Sequence, residues 1–342
     1  MKIVYSPTHS LQNPQSVIWK GVADFYHDSP SRADTIVQAV EKLNIGDLVP
    51  PEAFDRRYIE QVHCPDYLKF LQTIWNNSVA ENPEHLDLFP SCFIPQGESI
   101  KPPILPTAQI GYYTFDMSAP ITAGTWEAAY GSANVALTGQ QWIMSGEKSA
   151  FSLCRPPGHH AGIAYCGGFC FINNAAVAAQ AMREGGAERV AILDVDFHHG
   201  NGTQQIFYNR SDVMFLSIHG HPDEHYPFFT GHSREKGEGE GEGFNHNYPL
   251  RDSGPRAETW FQTLDQALDQ IKRFKADALV ISLGVDTYEN DPISAFNLRT
   301  DDYSIMGDRL AALEVPTLIV MEGGYDVEAI DSNVINVLKA FK

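Results

Sequence analysis

"VAILDVDFHHGNGTQQIF" (residues 190–207) opens with four apolar residues, Val190 to Leu193, as a strand buried on both faces does. Asp194, Asp196, His198 and His199 follow at once. Two carboxylates and two imidazoles at the end of an apolar run cost several kcal/mol if buried without partners. In extended chain, residues 194, 196 and 198 share one face, with alternate neighbours roughly 6.6–6.8 Å apart. A bend where the chain leaves the sheet brings Asp196 and His198 within reach of one divalent cation, with Asp194 a step behind them. Asp286, at another strand end, is the strongest third ligand. Two carboxylates neutralise such an ion's double charge, and an imidazole completes a three-ligand set that leaves a position open, as a catalytic rather than a structural zinc site does. The competing reading has the aspartates capping the next helix and the histidines as polar loop residues. A second histidine pair, His159 and His160, weighs against it.

Outward from this stretch, apolar runs at 2–6, 150–154, 189–195, 213–218, 278–284 and 316–322 read as strands. Helical periodicity fills 32–43, 66–77, 125–144, about 173–184, 257–273 and 301–312, with one more helix at the C-terminal end. The alternation predicts an α/β fold, a mainly parallel sheet flanked by helices on both faces. With no repeat and no linker, residues 1–342 read as one domain. Residues 78–107 read as an irregular excursion, and "EKGEGEGEGF" (235–244) as a solvated loop.

In such sheets ligands bind beyond the carboxyl ends of the strands. The segments there are "RPPGHHAG" (155–162), "DFHHGNG" (196–202), "HGHPDEHYP" (219–227), "VDTYENDP" (285–292) and "GGY" (323–325). They should share one edge. His159 or His160 near a cation-activated water can serve as general base and later as acid, with Asp194 and Asn201 as orienting partners. The alternative is that both are ligands. Tyr325, after two glycines, can donate to a developing oxyanion.

The net charge of −19, from 43 acidic against 24 basic residues, disfavours nucleic acid and favours cationic partners. The five cysteines (Cys64, Cys92, Cys154, Cys166 and Cys170) contain no CxxC pair, and reduced thiols are expected. Cys166 and Cys170 could form a metal half-site, but no second pair accompanies them. Neither a signal-peptide core nor a membrane span is apparent, so a cytoplasmic protein is expected.

With "RPPGHHAG", "GGFCFINNAA", "LDVDFHHGNGT", "SLGVDTYENDPI" and "MEGGY" in this order, the chain resembles the histone deacetylase superfamily, and within it the bacterial acetylpolyamine amidohydrolases. The resemblance implies the arginase–deacetylase fold, with zinc ligands at Asp196, His198 and Asp286 and tandem histidines at His159 and His160. His160 is then the base–acid and Tyr325 the carbonyl-polarising phenol. It implies a tunnel walled by Phe169 and Tyr226, with Gly168 beside them. A potassium site would use Asp194 and Ser217 with main-chain oxygens of Asp196, His198 and Ile218. A second would use main chain at Phe207, Arg210, Val213 and Phe244. Asp116 is the closest carboxylate to the position expected to meet a substrate ammonium. Segment 78–107 resembles an insertion that narrows the tunnel mouth and contributes to a homodimer. The implied activity is zinc-dependent hydrolysis of N-acetylated polyamines or diamines; Fe²⁺, Co²⁺ or Mn²⁺ would also suit the ligands. The rivals are an acetyl-lysine protein deacetylase and a ligand-binding relative with a dead site.

Overall fold

The computed structural model describes residues 1–19, 21–81, 87–95, 101–251 and 257–342. The strands of its main sheet are β1 (Lys2–Val4), β4 (Asp47–Val49), β5 (Ser149–Ser152), β6 (Val190–Asp194), β7 (Val213–Gly220), β8 (Asn245–Leu250), β9 (Ala278–Leu283) and β10 (Thr317–Met321). Among the described residues these eight strands are all parallel, in the order β4-β1-β5-β10-β9-β6-β7-β8. A separate antiparallel hairpin pairs β2 (Val17–Trp19) with β3 (Val22–Asp24).

Alternation along each strand sends side chains to opposite faces. Val190, Ile192, Val280, Leu318 and Val320 enter one core, together with α3 (Pro65–Glu81), α5 (Thr125–Met144) and α6 (Asn174–Glu184). Ala191, Leu193, Leu279, Ile281 and Ile319 enter the other, against α1 (Ser31–Leu43), α8 (Ala257–Phe274), α9 (Asp302–Ala311) and α10 (Ile330–Lys339). The central strands are therefore apolar on both sides, and truncating one such residue to Ala would cost about 2–5 kcal/mol. α8 buries Trp260, Phe261, Leu264, Ala267, Leu268 and Ile271, the stripe expected of an amphipathic surface helix.

Several expectations need correction. The edge strands β4 and β8, the hairpin, and the helices α2 (Arg57–Glu60), α4 (Pro106–Tyr113) and α7 (Asn201–Phe207) were not foreseen. In segment 78–107, α3 continues to Glu81 and α4 begins at Pro106. Its residues 82–86 and 96–100 lie outside the described residues. The run 235–244 is largely exposed, yet Glu235 turns inward: its Oε2 accepts from Gln204 Nε2 at 2.7 Å and from the Gly231 amide at 2.9 Å.

Candidate active site and metal centre

Because all eight strands run the same way, the segments after β5, β6, β7, β9 and β10 open on one edge of the sheet. Asp194 closes β6, in register with Ser217 on β7 and Ser282 on β9. Beyond it the chain leaves the sheet and Asp196, His198 and Asp286 converge, fully buried, with their ligand atoms within 4.8 Å of one another. His198 Nδ1 stands 2.9 Å from Asp286 Oδ2 and 3.3 Å from Asp196 Oδ1. The main chain holds the carboxylates: the Gly323 amide donates to Asp196 Oδ2 and the Phe197 amide to Asp286 Oδ1, each at 2.8 Å. A Cβ on Gly323 would stand 2.5 Å from Asp196 Oδ2 and 2.8 Å from Asp286 Oδ2. One on Gly284 would stand 2.1 Å from Asp196 Oδ2. Only glycine lets the backbone close over the carboxylates this tightly.

Two carboxylates on one buried spot cannot both ionise without a cation between them. Burial and the charge of Asp196 push Asp286 up to about 8. Burial would raise Asp196 too, but His159 and His198 hold it far below the usual carboxylate range. Burial would lower His198, yet its bonds to Asp196 and Asp286 lift it to about 9. A divalent ion answers the same demand, and a hard–borderline set of two oxygens and one nitrogen suits Zn²⁺ or a neighbouring transition metal. The residues present fit the group.

A second set with donors within 4.8 Å is His159, Cys170 and Glu322. Its members are engaged elsewhere: the Cys170 thiol donates to the Gly168 carbonyl at 3.2 Å, and His159 pairs with Asp194. Glu322 Oε2 accepts the amides of Gly158 and His159 at 2.7 and 3.2 Å. The first set is therefore the candidate metal centre.

The tandem histidines lie against this centre, ring centroids 3.9 Å apart, with opposite partners. His159 Nδ1–H donates to Asp194 Oδ2 at 2.9 Å, and His159 Nε2 is 3.9 Å from Asp196 Oδ1. His160 Nδ1–H donates to Asn201 Oδ1 at 2.7 Å. Burial alone would lower His159, but Asp194 and Asp196 outweigh it and lift the imidazole to about 10. His160, with only an amide behind it, is pushed well below its ordinary value by burial and by the neighbouring His159 and His198.

Tyr325 follows Gly324, whose φ of 122° turns the chain sharply. Its amide donates to Asp291 Oδ2 at 2.7 Å, its ring lies 5.5 Å from that of Phe169, and the Arg32 guanidinium covers it at 4.7 Å. Burial, with some relief from Arg32, keeps the phenol well above its ordinary value, and the charges of Asp196 and Asp286 add to the rise.

The residues expected as walls lie near the tandem histidines and Tyr325. The Tyr226 ring meets His160 edge-on at 5.0 Å and Trp19 at 5.8 Å. Gly168 lies so close to His160 that a Cβ would sit 2.3 Å from its Cδ2. Asp116 lies beside these walls, bonded to the Tyr226 hydroxyl and the Gly168 amide. Of the potassium set, Ser217 hydrogen-bonds His219 Nδ1 at 2.8 Å and faces Asp194 across the β6–β7 register. Cys166 and Cys170 are buried free thiols.

The sequence did not reveal the buried supports. Arg32 donates to the carbonyls of Glu322 at 2.6 Å and Gly324 at 2.5 Å and pairs with Asp28, fixing the turn before Tyr325. Arg155 donates to the carbonyls of His9 at 2.5 Å and Gln12 at 2.7 Å. Glu322, which grips the tandem-histidine loop, had a usable signal: like Asp194, it is an acid at the end of a wholly buried strand.

A model described as the histone deacetylase domain matches residues 26–341. Acetylpolyamine amidohydrolase 1 of Pseudomonas aeruginosa is 51% identical over 100% of this chain and 99% of its own length. Acetylpolyamine amidohydrolase 2 of the same organism is 48% identical, again over 100% and 99%. The crystal structure of acetylpolyamine aminohydrolase from Burkholderia pseudomallei, from an iodide soak, superposes with a TM-score of 0.94 at 38% identity, covering 100% of this chain and 98% of that one.

Proposed function

This chain belongs to the histone deacetylase family of metal-dependent deacetylases, and we propose that it hydrolyses small N-acetylated polyamines or diamines to acetate and free amine. The observation that carries the reading is the pair of adjacent buried imidazoles, one backed by a carboxylate and the other by an amide, set against Asp196, His198 and Asp286. Relatives named acetylpolyamine amidohydrolase over their full lengths support the substrate class. So do the aromatic walls and a net charge of −19, which attracts cations.

Asp196, His198 and Asp286 would hold Zn²⁺, with Fe²⁺, Co²⁺ or Mn²⁺ as substitutes, and such an ion polarises the amide carbonyl and acidifies a water. The other steps fall to the chain's own groups. His160 Nε2, kept neutral by burial and by the neighbouring imidazoles of His159 and His198, takes the proton from the attacking water. Tyr325 donates its hydroxyl hydrogen to the carbonyl oxygen as negative charge grows there. His159, held as a cation by Asp194, hands a proton to the departing amine nitrogen. Phe169 and Tyr226 exclude water and admit a slender chain. Asp194 and Ser217, with the main chain of Asp196, His198 and Ile218, would hold K⁺ behind the tandem histidines.

The reading further places one catalytic domain over residues 1–342 in a homodimer, supported by the exposed apolar side chains Phe93, Ile94, Ile104 and Leu105. Five free cysteines support the reducing cytoplasm. Among the described residues no helix is long and apolar enough to cross a membrane. The test compares kcat/KM for N-acetylputrescine with that for an acetyl-lysine peptide on the metal-loaded protein. Preference for the acetylated diamine is expected; preference for the peptide would overturn the substrate class.

A further inference from the structure

Gly167–Cys170 forms a tight turn closed by reciprocal bonds, Cys170 N to Gly167 O at 2.9 Å and Gly167 N to Cys170 O at 3.2 Å. Its two central residues, Gly168 and Phe169, both lie in the left-handed region, at φ 54° and 66°. Glycine adopts that conformation freely, but phenylalanine does so rarely and under strain, so something must hold the turn. This turn sets the Phe169 ring 5.5 Å from that of Tyr325 and presses Gly168 onto His160. Tyr226, whose ring meets His160 edge-on at 5.0 Å and which the proposed function makes the other wall, comes from the loop after β7. The two walls belong to different strand ends, yet one carboxylate joins them. Asp116 Oδ2 accepts the Gly168 amide at 2.9 Å and the Tyr226 hydroxyl at 2.7 Å. The same oxygen accepts the Ser118 hydroxyl, and Oδ1 accepts the Ser118 amide at 3.0 Å.

We infer that Asp116 is a positioning residue that sets the width of the cleft by tying Tyr226 to the Gly168–Phe169 turn, rather than the carboxylate that receives the substrate's ammonium. Four donors already occupy its two oxygens. The tie is local to this site: Phe115, the residue before Asp116, stacks on the Tyr226 ring at 6.0 Å, so both main chain and side chain of this segment brace the same wall. A cleft held at fixed width accepts a linear amide and rejects a bulky one before chemistry begins. A released wall widens the choice. The inference rests on the deacetylase reading, because it names what selects that enzyme's substrate.

The test uses the metal-loaded full chain and three amides: N-acetylcadaverine, the uncharged linear N-pentylacetamide, and the bulky N-cyclohexylacetamide. Wild-type turnover tests the deacetylase reading by itself; the variants' selectivity tests the width-setting role. Asp116→Ala and Tyr226→Phe should each lower the linear-to-bulky ratio of kcat/KM on the order of tenfold, as misplacement of a wall does. The double variant should lose no more than the greater single loss, because both changes cut one tie. Asp116→Asn keeps an acceptor oxygen and should recover most of the ratio. Rates that fall while the ratio stays at the wild-type value would overturn the inference. So would an Asp116→Asn loss as deep as that of Asp116→Ala, confined to N-acetylcadaverine, since that pattern belongs to a charge meeting an ammonium.

Discussion

Replacing Asn201 with Asp changes one atom pair behind His160 and should move the enzyme's pH profile. The Asn201 Oδ1 oxygen accepts the His160 Nδ1–H at 2.7 Å in a fully buried pair of imidazoles. Next to it, His159 has a carboxylate in the equivalent place and is lifted to about 10, whereas His160 lies well below its ordinary value. A full negative charge about 4 Å from the ring centre is worth roughly 4 kcal/mol at an effective dielectric of 20, or about three pH units. Part of that is already supplied by the amide dipole of Asn201, and burying the new carboxylate takes more of it back. The acidic limb of kcat/KM should therefore rise by about one to three units. The sign follows from the base role. His160 works unprotonated, so a raised pKa keeps it protonated, and inactive, up to a higher pH. Activity falls on the acidic side of the profile, while activity at alkaline pH is largely retained. The assay is acetate release from N-acetylputrescine across the pH range, with metal content measured at each point. A limb that stays within about half a unit of wild type, with metal bound, would refute the assignment of His160 as base.

Three further outcomes follow from the same geometry. Tyr325→Phe should lower kcat on the order of a hundredfold or more with metal content unchanged, because one oxyanion donor is lost; full activity would remove Tyr325 from the mechanism. Gly323→Ala puts a Cβ 2.5 Å from Asp196 Oδ2 and should weaken metal retention on the order of ten- to a hundredfold in competition with a chelator; unchanged retention would show that this backbone is not what holds the ligands. His63 is pinned as the neutral Nδ1–H tautomer, donating to the Gly162 carbonyl at 2.8 Å and accepting the Asn173 amide at 2.9 Å, and burial lowers it to about 4. Its folded pKa lies below its unfolded one, so its contribution is present above pH 6.5 and is lost as pH falls toward 4, about 3 kcal/mol in all. Denaturant melts at both ends of that window should show a shallower acid loss for His63→Gln, and parallel curves would contradict the assignment.

How much of this was legible follows from where each group's partners lie. The central strands announce themselves because both faces are buried, so that Val190 to Leu193 and Ala278 to Leu283 are unbroken apolar runs. β8 reads "NHNYPL", and its asparagines, Asn245 and Asn247, are turned toward Gln204 rather than into an apolar core, so no apolar period marks it. α7 is too short to show a period, and its polar N-terminal residue was already committed to His160. The cluster of Asp196, His198 and Asp286 was legible because helix capping and polar loops account for each residue alone, but not for the whole set together with a second histidine pair. Arg32 and Arg155 were not, because an arginine in a sequence reads as surface, and most of their partners are main-chain carbonyls, which leave no mark on a sequence. Asp116 was legible as a carboxylate near the cleft. That it binds a phenol and an amide is a fact of three dimensions.

The central claim is that Asp196, His198 and Asp286 hold one divalent cation on which acetamide hydrolysis depends. The direct measurement is acetate release from N-acetylputrescine by chain stripped with a chelator and then titrated with Zn²⁺ or Fe²⁺. The account predicts no turnover in the stripped protein and recovery that saturates at one ion per chain. Stripped protein that still released acetate at the rate of the loaded enzyme would contradict it.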